Sequence, residues 1–383
     1  MGDQVDAEDA HEWQDPRSTY DALRSRCPVA HQADGSWMVL RHAEVVAAAT
    51  DPQTFSSRVT TRRAIPNSLD GDDHAAFRAV VDRYLTDERV AREEEQCRAH
   101  AAAIVDALPR GVTVKTIASV GTPYAVRSQC TWLGWPADLE DRLVEWIRDN
   151  HAASRSGDRD RTREVAERFD HIIRELLDLR RDDEAAADVT SELLRDTVDG
   201  RPLTTDEIVS VLRNWTAGDL GSLATSVGVL VHFLASTPEV QRQVRALVSH
   251  DDRAALDAAV EEILRIDDPF VSNRRIATRA VELGGEDIAE GGRVLLNWTA
   301  ANRDPLVFGD PDRYDPVGNA ADNLVFGAGP HVCPGRALTL MELRVMLEEL
   351  LRRTTWIELA PDRPQVRETP PMGGWARVPI VLR

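Results

Sequence analysis

The chain has 383 residues, 46 Lys and Arg against 65 Asp and Glu for a formal charge of -19, and 42% hydrophobic residues. That acidity opposes nucleic acid and anionic membranes as general partners, and the length suffices to bury a core able to enclose a cofactor. Four cysteines, at 27, 97, 130 and 333, show no Cys-x-x-Cys spacing, and a chain of this size needs no disulfide framework, so a reducing cytoplasm fits best.

Met1 to Asp9 is acidic where a secretory signal is basic and then apolar. No later stretch shows the uninterrupted apolar length of a membrane span, so a soluble protein is expected. Asn214 and Asn297 each open an Asn-Trp-Thr triplet, but without a signal these glycosylation patterns carry no weight. Residues 1 to about 25 are polar and expected to be loosely held. Ser36–Leu40 reads as a strand and His42–Thr50 as a short helix stopped by Asp51-Pro52. A loop carrying Arg58, Arg62 and Arg63 runs on to His74. There His74 and Arg78 stand four apart on one helix face, two cations that can meet two carboxylates, although such a spacing is more often a solvated face.

From Glu93 to Arg181 helical segments alternate with breaks at Pro109-Arg110-Gly111 and Gly134-Trp135-Pro136. Asp138–Ala153 and Arg161–Arg180 carry apolar residues at helical spacing and flank a polar turn at Ser154–Asp158. Thr204 and Glu207 then form a capping box that opens a helix reaching about Leu234, roughly 45 Å at 1.5 Å per residue. Its middle, Ala217-Gly218-Asp219-Leu220-Gly221-Ser222, holds two glycines, each costing roughly 1 kcal/mol relative to alanine. Close helix packing explains them, and so does a helix surface kept bare for a ligand.

Glu262 and Arg265 place opposite charges at i, i+3 on a helix beginning near Asp252, usually a weak surface pair. Arg275–Thr278, Val281–Leu283 and Arg293–Asn297 read as short strands separated by glycine pairs. At the C-terminus, Trp356–Leu359 and Val378–Leu382 suggest a hairpin whose tip could reach a pocket. Ile65–Leu69, Arg213–Trp215 and Pro269–Asn273 are candidate pocket segments, with core packing the better expectation for Trp215 and Phe270.

The most informative stretch is Phe326-Gly327-Ala328-Gly329-Pro330-His331-Val332-Cys333-Pro334-Gly335-Arg336. Its glycines permit positive φ and a close backbone approach to a flat partner. The run from Arg336 to Leu347 has helical spacing, with Pro334 suited to its first position. Cys333 is thus expected at a helix N-terminus, where the thiolate that binds metals is favoured. A lone cysteine is ordinarily a small buried hydrophobe; the loop around this one reverses the expectation. Pro334 has no N–H to offer the sulfur, whereas Gly335 and Arg336 do.

The pattern Phe-Gly-x-Gly-x-His-x-Cys-x-Gly resembles the haem-binding signature of the cytochromes P-450, and the likeness extends from about Pro28 to the C-terminus. It implies a mainly α fold with small β-sheets, a single domain over 1–383, and haem between the long central helix and the cysteine-loop helix. It further implies heme b with Cys333 as metal ligand, Phe326, Gly327, His331 and Gly335 around it, and His74, Arg78, Arg275 and His331 on the propionates. Asp138–Ala153 and Arg161–Arg180 become a moving lid, and Ala217, Gly218, Asp219, Gly221 and Ser222 the dioxygen-facing segment. Here the chain departs from the family, which places an acid and a threonine where Leu220 and Gly221 stand. Asp219 and Ser222 are expected to point away from that place. Glu262 and Arg265, with Arg313 as third member, resemble the family's buried charged cluster.

The resemblance implies a haem-thiolate monooxygenase that activates dioxygen and oxidises a small organic or natural-product substrate. The chain lacks a nucleotide-binding glycine fingerprint, so a ferredoxin-like donor with its own reductase is expected. Arg336, Arg344 and the arginines near His74 form either its docking surface or a solvated face. Because the acid and threonine are absent, a peroxide-using or radical-coupling enzyme is the alternative within this class, and a non-catalytic haem ligand-binding protein the alternative outside it.

Overall fold

The computed structural model describes residues 15–60, 63–181, 187–370 and 372–383, apart from the side chain of Ala217. Arg62 and residues 1–14 lie outside the described residues. Within the stretch expected to be loose, Pro16–Arg26 is a helix capped by Asp15, with Tyr20 and Arg24 buried. The Arg24 guanidinium donates to the Ala300 carbonyl at 2.6 Å, a long-range tie that polar composition alone conceals.

Mostly helical, the fold carries a five-stranded sheet in the order Val29–His31, Trp37–Val39, Arg293–Asn297, Ser272–Ala277, Phe55–Ser56. Trp37–Val39 runs parallel to Arg293–Asn297, and Val39, Val294 and Leu296 are buried on the side toward Val45 and Ala48 of helix His42–Thr50. A second sheet joins Ile357–Leu359, Pro379–Leu382 and Thr113–Lys115. Between its first two strands the chain makes a hairpin, with Val366–Arg367 paired to Trp375–Arg377. Its tip reaches the central helix: Gly373 donates to the Pro269 carbonyl, and Gly374 lies against Thr225 and Val229.

The central helix, Thr205–Ser236, starts from the capping box on Thr204 and Glu207. By length and composition it would pass for a membrane span, contrary to the reading of the sequence, but its apolar residues are mostly buried in the protein. Trp215 packs in the core between Tyr84 and Trp132, whereas Phe270 is exposed. Helices Glu140–Ser156 and Arg159–Arg181 pack against one another, and the second also lies along the central helix. Asn297 is fully buried, where its side chain caps the helix Trp298–Ala301.

Helix Arg336–Arg352 is buried along almost its whole length and packs lengthwise on Asp87–Ala107. Burying its polar residues demands partners. Arg344 meets Glu94, Asp257 and Glu348, and Arg98 bridges Glu348 and Glu349. Arg344 therefore belongs to the interior scaffold and offers no docking surface; Arg336 remains exposed but is paired with Glu261.

Candidate active site

The cysteine loop is held by its own backbone. The Cys333 N–H donates to the Phe326 carbonyl at 2.9 Å, and Gly327 and Gly329 adopt φ of 76° and 71°. A Cβ on Gly329 would stand 2.4 Å from the Ala49 carbonyl oxygen, so only glycine lets the loop lie this close to helix His42–Thr50. From the other side Arg78 donates to the carbonyls of Pro330 and Val332 at 3.2 and 2.7 Å.

The following helix begins at Arg336, with Gly335 as its cap, so Pro334 precedes the helix instead of opening it. Burial pushes the Cys333 thiol up to about 11, against a weaker opposing pull from the Gly335 N–H, which donates to the sulfur. Without a metal, desolvation opposes the thiolate that the helix N-terminus favours. A coordinating metal deprotonates such a thiol outright.

Beside the loop lies a group of cationic and imidazole side chains. The His74 and His331 rings are 4.1 Å apart, and His331 Nε2 is 3.0 Å from Ser57 Oγ and 3.8 Å from Asp70 Oδ1. Burial pushes both imidazoles down, His331 to about 4. Arg275 is 6% exposed, and its guanidinium donates to the Arg274 carbonyl. Among the described residues no carboxylate forms an ion pair with it, and burial lowers its pKa. A buried guanidinium without a counter-ion is costly, so this place fits an anionic group brought by a ligand, as haem propionates are. Arg78 differs from the others in being engaged already, with Asp82 at 2.6 Å as well as with the loop.

On the central helix, Gly218 is exposed and a Cβ there would meet nothing within 4 Å. One turn on, a Cβ at Gly221 would stand 3.2 Å from His151 Nε2. Leu220 is fully buried. Ser222 returns its hydroxyl to the Gly218 carbonyl at 2.7 Å. Asp219 Oδ2 is shielded without a hydrogen-bond partner, and burial pushes that carboxyl up to about 7. It lies within electrostatic reach of Glu342 and Cys333, on the side of the cysteine helix. Ala217 lies in the helix.

His151 is the site residue that sequence reasoning missed. Its signal was a polar residue four and eight positions beyond Ile147 and Leu143, continuing their buried stripe.

Glu262 and Arg265 are buried and paired as expected, but Arg313 does not complete the cluster. Its side chain is 72% exposed and only its carbonyl accepts from Arg265. Glu262 is satisfied instead by the Asn319 side chain at 2.8 Å and the Asp315 N–H at 2.9 Å.

A half-buried cysteine on a glycine-built loop, a buried arginine without an ion pair among the described residues and a bare stretch of central helix are the parts that a thiolate-ligated haem needs. The family model of cytochrome P-450 matches residues 137–382. Cyclomarin C epoxidase CymV of Salinispora arenicola is 30% identical, the match covering 91% of this chain and 90% of that protein. Nocardicin C N-oxygenase of Nocardia uniformis is 31% identical over 96% and 93%. Among solved structures, ligand-free cytochrome P-450 TbtJ1 superposes with a TM-score of 0.86 at 26% identity, covering 96% of this chain and 97% of that one. The chain belongs to the cytochrome P-450 family. It is a bacterial-type monooxygenase that binds heme b through a cysteine thiolate, requires a redox partner and acts on a small substrate. No observation favours the peroxide-using, radical-coupling or non-catalytic alternatives.

Proposed function

We propose that Cys333 is the thiolate, that Arg275, His74 and His331 receive the haem propionates, and that the bare surface at Gly218 and Gly221 faces the dioxygen-binding space. Bound there, a thiolate-ligated haem supplies O–O cleavage, because the sulfur pushes electron density onto the iron. Phe326 and Gly327 shape the loop, Gly335 donates to the sulfur, and Arg78 braces the loop carbonyls. Glu262 and Arg265 hold the segment leading into the loop. The chain acts as one unit in the cytoplasm, with a ferredoxin-like protein and its reductase as electron source. Its substrate belongs with natural products and other small organics, the class named for Cyclomarin C epoxidase, Nocardicin C N-oxygenase and Linalool 8-monooxygenase.

The observation that carries this reading is a half-buried cysteine on a glycine-built loop whose His331 lies within electrostatic reach of a buried arginine that has no ion-pair partner among the described residues. The test is the absorbance of the reduced, carbon-monoxide-bound protein. A red-shifted Soret band in the wild type, absent in Cys333→Ala, is expected; an unshifted wild-type band would overturn the assignment.

A further inference from the structure

The central helix lacks a side chain at Gly221, and a side chain from another helix stands over the gap. His151, on helix Glu140–Ser156, aims Nε2 at Gly221, 3.2 Å from where a Cβ would be. The adjoining turn at Gly218 is open, with nothing within 4 Å of its absent Cβ. Thr225, the next hydroxyl on this face, is spent on the Gly221 carbonyl at 2.9 Å. Neither ring nitrogen of His151 has a hydrogen-bond partner among the described residues, while the ring itself is partly buried. Such a nitrogen, at the edge of open space, is available to a guest molecule.

We propose that His151 supplies across the gap what Gly221 lacks: its Nε2–H hydrogen-bonds dioxygen in the space over Gly218 and Gly221 and passes it a proton. This rests on the reading that places the haem against that surface. The monooxygenase reaction takes substrate, dioxygen, two electrons from the redox partner and two protons, and returns hydroxylated substrate and water. In its protonated form His151 delivers one of those protons from Nε2, its ring becoming neutral, and it is recharged by one of the two protons the reaction draws from the solvent.

Two charged groups face the ring and set its readiness. Glu368, from the C-terminal hairpin, favours the protonated imidazole, while Arg155, one turn along the same helix, opposes it. The two are themselves paired at 3.4 Å, which tempers both effects. Burial is the largest influence and lowers the imidazole's pKa. Because the donor sits on Glu140–Ser156 and not on the central helix, its placement depends on how the first helix seats over the second.

The test uses the haem-loaded protein with carbon monoxide as the probe, read by the infrared C–O stretch. An N–H directed at the ligand oxygen draws electron density into the C–O antibonding orbitals and lowers the frequency. His151→Phe should therefore raise it, and His151→Gln, which keeps an N–H donor, should stay near the wild type. Gly221→Ala, whose new Cβ crowds Nε2, should shift the band as well, and His151→Phe should then add little. Under turnover, peroxide released per electron pair should rise at least about tenfold in His151→Phe. An unchanged stretch in His151→Phe, or equal shifts in the Phe and Gln variants, would overturn the proposal. A wild-type protein without the red-shifted Soret band would instead remove the haem placement beneath it, a failure seen before any variant is made.

Discussion

Arg265 grips Glu262 with two hydrogen bonds, Nε to Oε2 at 2.7 Å and Nη2 to Oε1 at 2.9 Å, and the two side chains are 0% and 2% exposed. The same guanidinium donates to the carbonyls of Asn302, Pro311 and Arg313. A helix-to-loop junction thus hangs on one buried cation. Truncating either partner strands the other without water, so Arg265→Ala or Glu262→Ala should cost about 3–5 kcal/mol in urea unfolding. Arg313→Ala, at an exposed side chain, should stay within about 0.5 kcal/mol. An Arg313 variant as damaging as the Arg265 variant would contradict this division.

Arg275 gives a prediction whose sign changes with the ligand. Its buried guanidinium forms no ion pair among the described residues, Asp70 acting on it only through longer-range attraction, so in the haem-free protein Arg275→Leu should be neutral or stabilising in thermal denaturation. In the haem-loaded protein the same change should cost about 2 kcal/mol or more of haem affinity, measured by transfer to an acceptor apoprotein. Loss of stability in the haem-free variant would mean that the cation is already compensated.

Sequence carried the framework of this site because its chemistry depends on backbone: Gly327 and Gly329 are needed for positive φ, and a capping box marks the central helix. It failed where geometry couples distant segments. Arg313 has the right order along the chain, yet its carbonyl, not its side chain, enters the cluster, and Asn319 does what Arg313 was expected to do. Arg344 reads as a surface cation until helix Asp87–Ala107 is laid along it, bringing Glu94. His151 is 70 residues from Gly221 in sequence, and no local pattern announces that one fills the gap left by the other.

His232, on the central helix, leads to a prediction of acid-sensitive stability. Its ring lies 3.8 Å from that of Trp375, which in turn carries the Arg367 guanidinium at 3.7 Å. Burial pushes His232 down to about 4 from 6.5, with Asp267 and Asp15 opposing that fall and Arg367 and Arg17 reinforcing it. Between those two values the unfolded chain binds the proton and the folded protein does not. The stability from this group is therefore complete above pH 6.5 and is lost as pH falls toward 4. The loss should be about 2–3 kcal/mol at pH 4.5. In His232→Phe, which keeps a ring against Trp375, the stability difference between pH 7 and pH 4.5 should shrink by that amount. An unchanged difference in urea unfolding at the two pH values would show that His232 is already protonated in the fold.

Pro334 directly follows Cys333 and has no N–H to offer its sulfur. Gly335, one residue on, donates its N–H to the sulfur. Each hydrogen bond withdraws charge from a thiolate and raises the potential of the iron it binds. Pro334→Leu restores an N–H next to the sulfur without changing the Gly335 contact. The reduction potential of the haem-loaded variant, measured by spectroelectrochemical titration, should therefore lie above that of the wild type. The position is two residues before the helix at Arg336, so the exchange leaves the helix itself intact. Equal or lower potential in the variant would mean that the new N–H turns away from the sulfur, and that the proline is present for the shape of the loop alone.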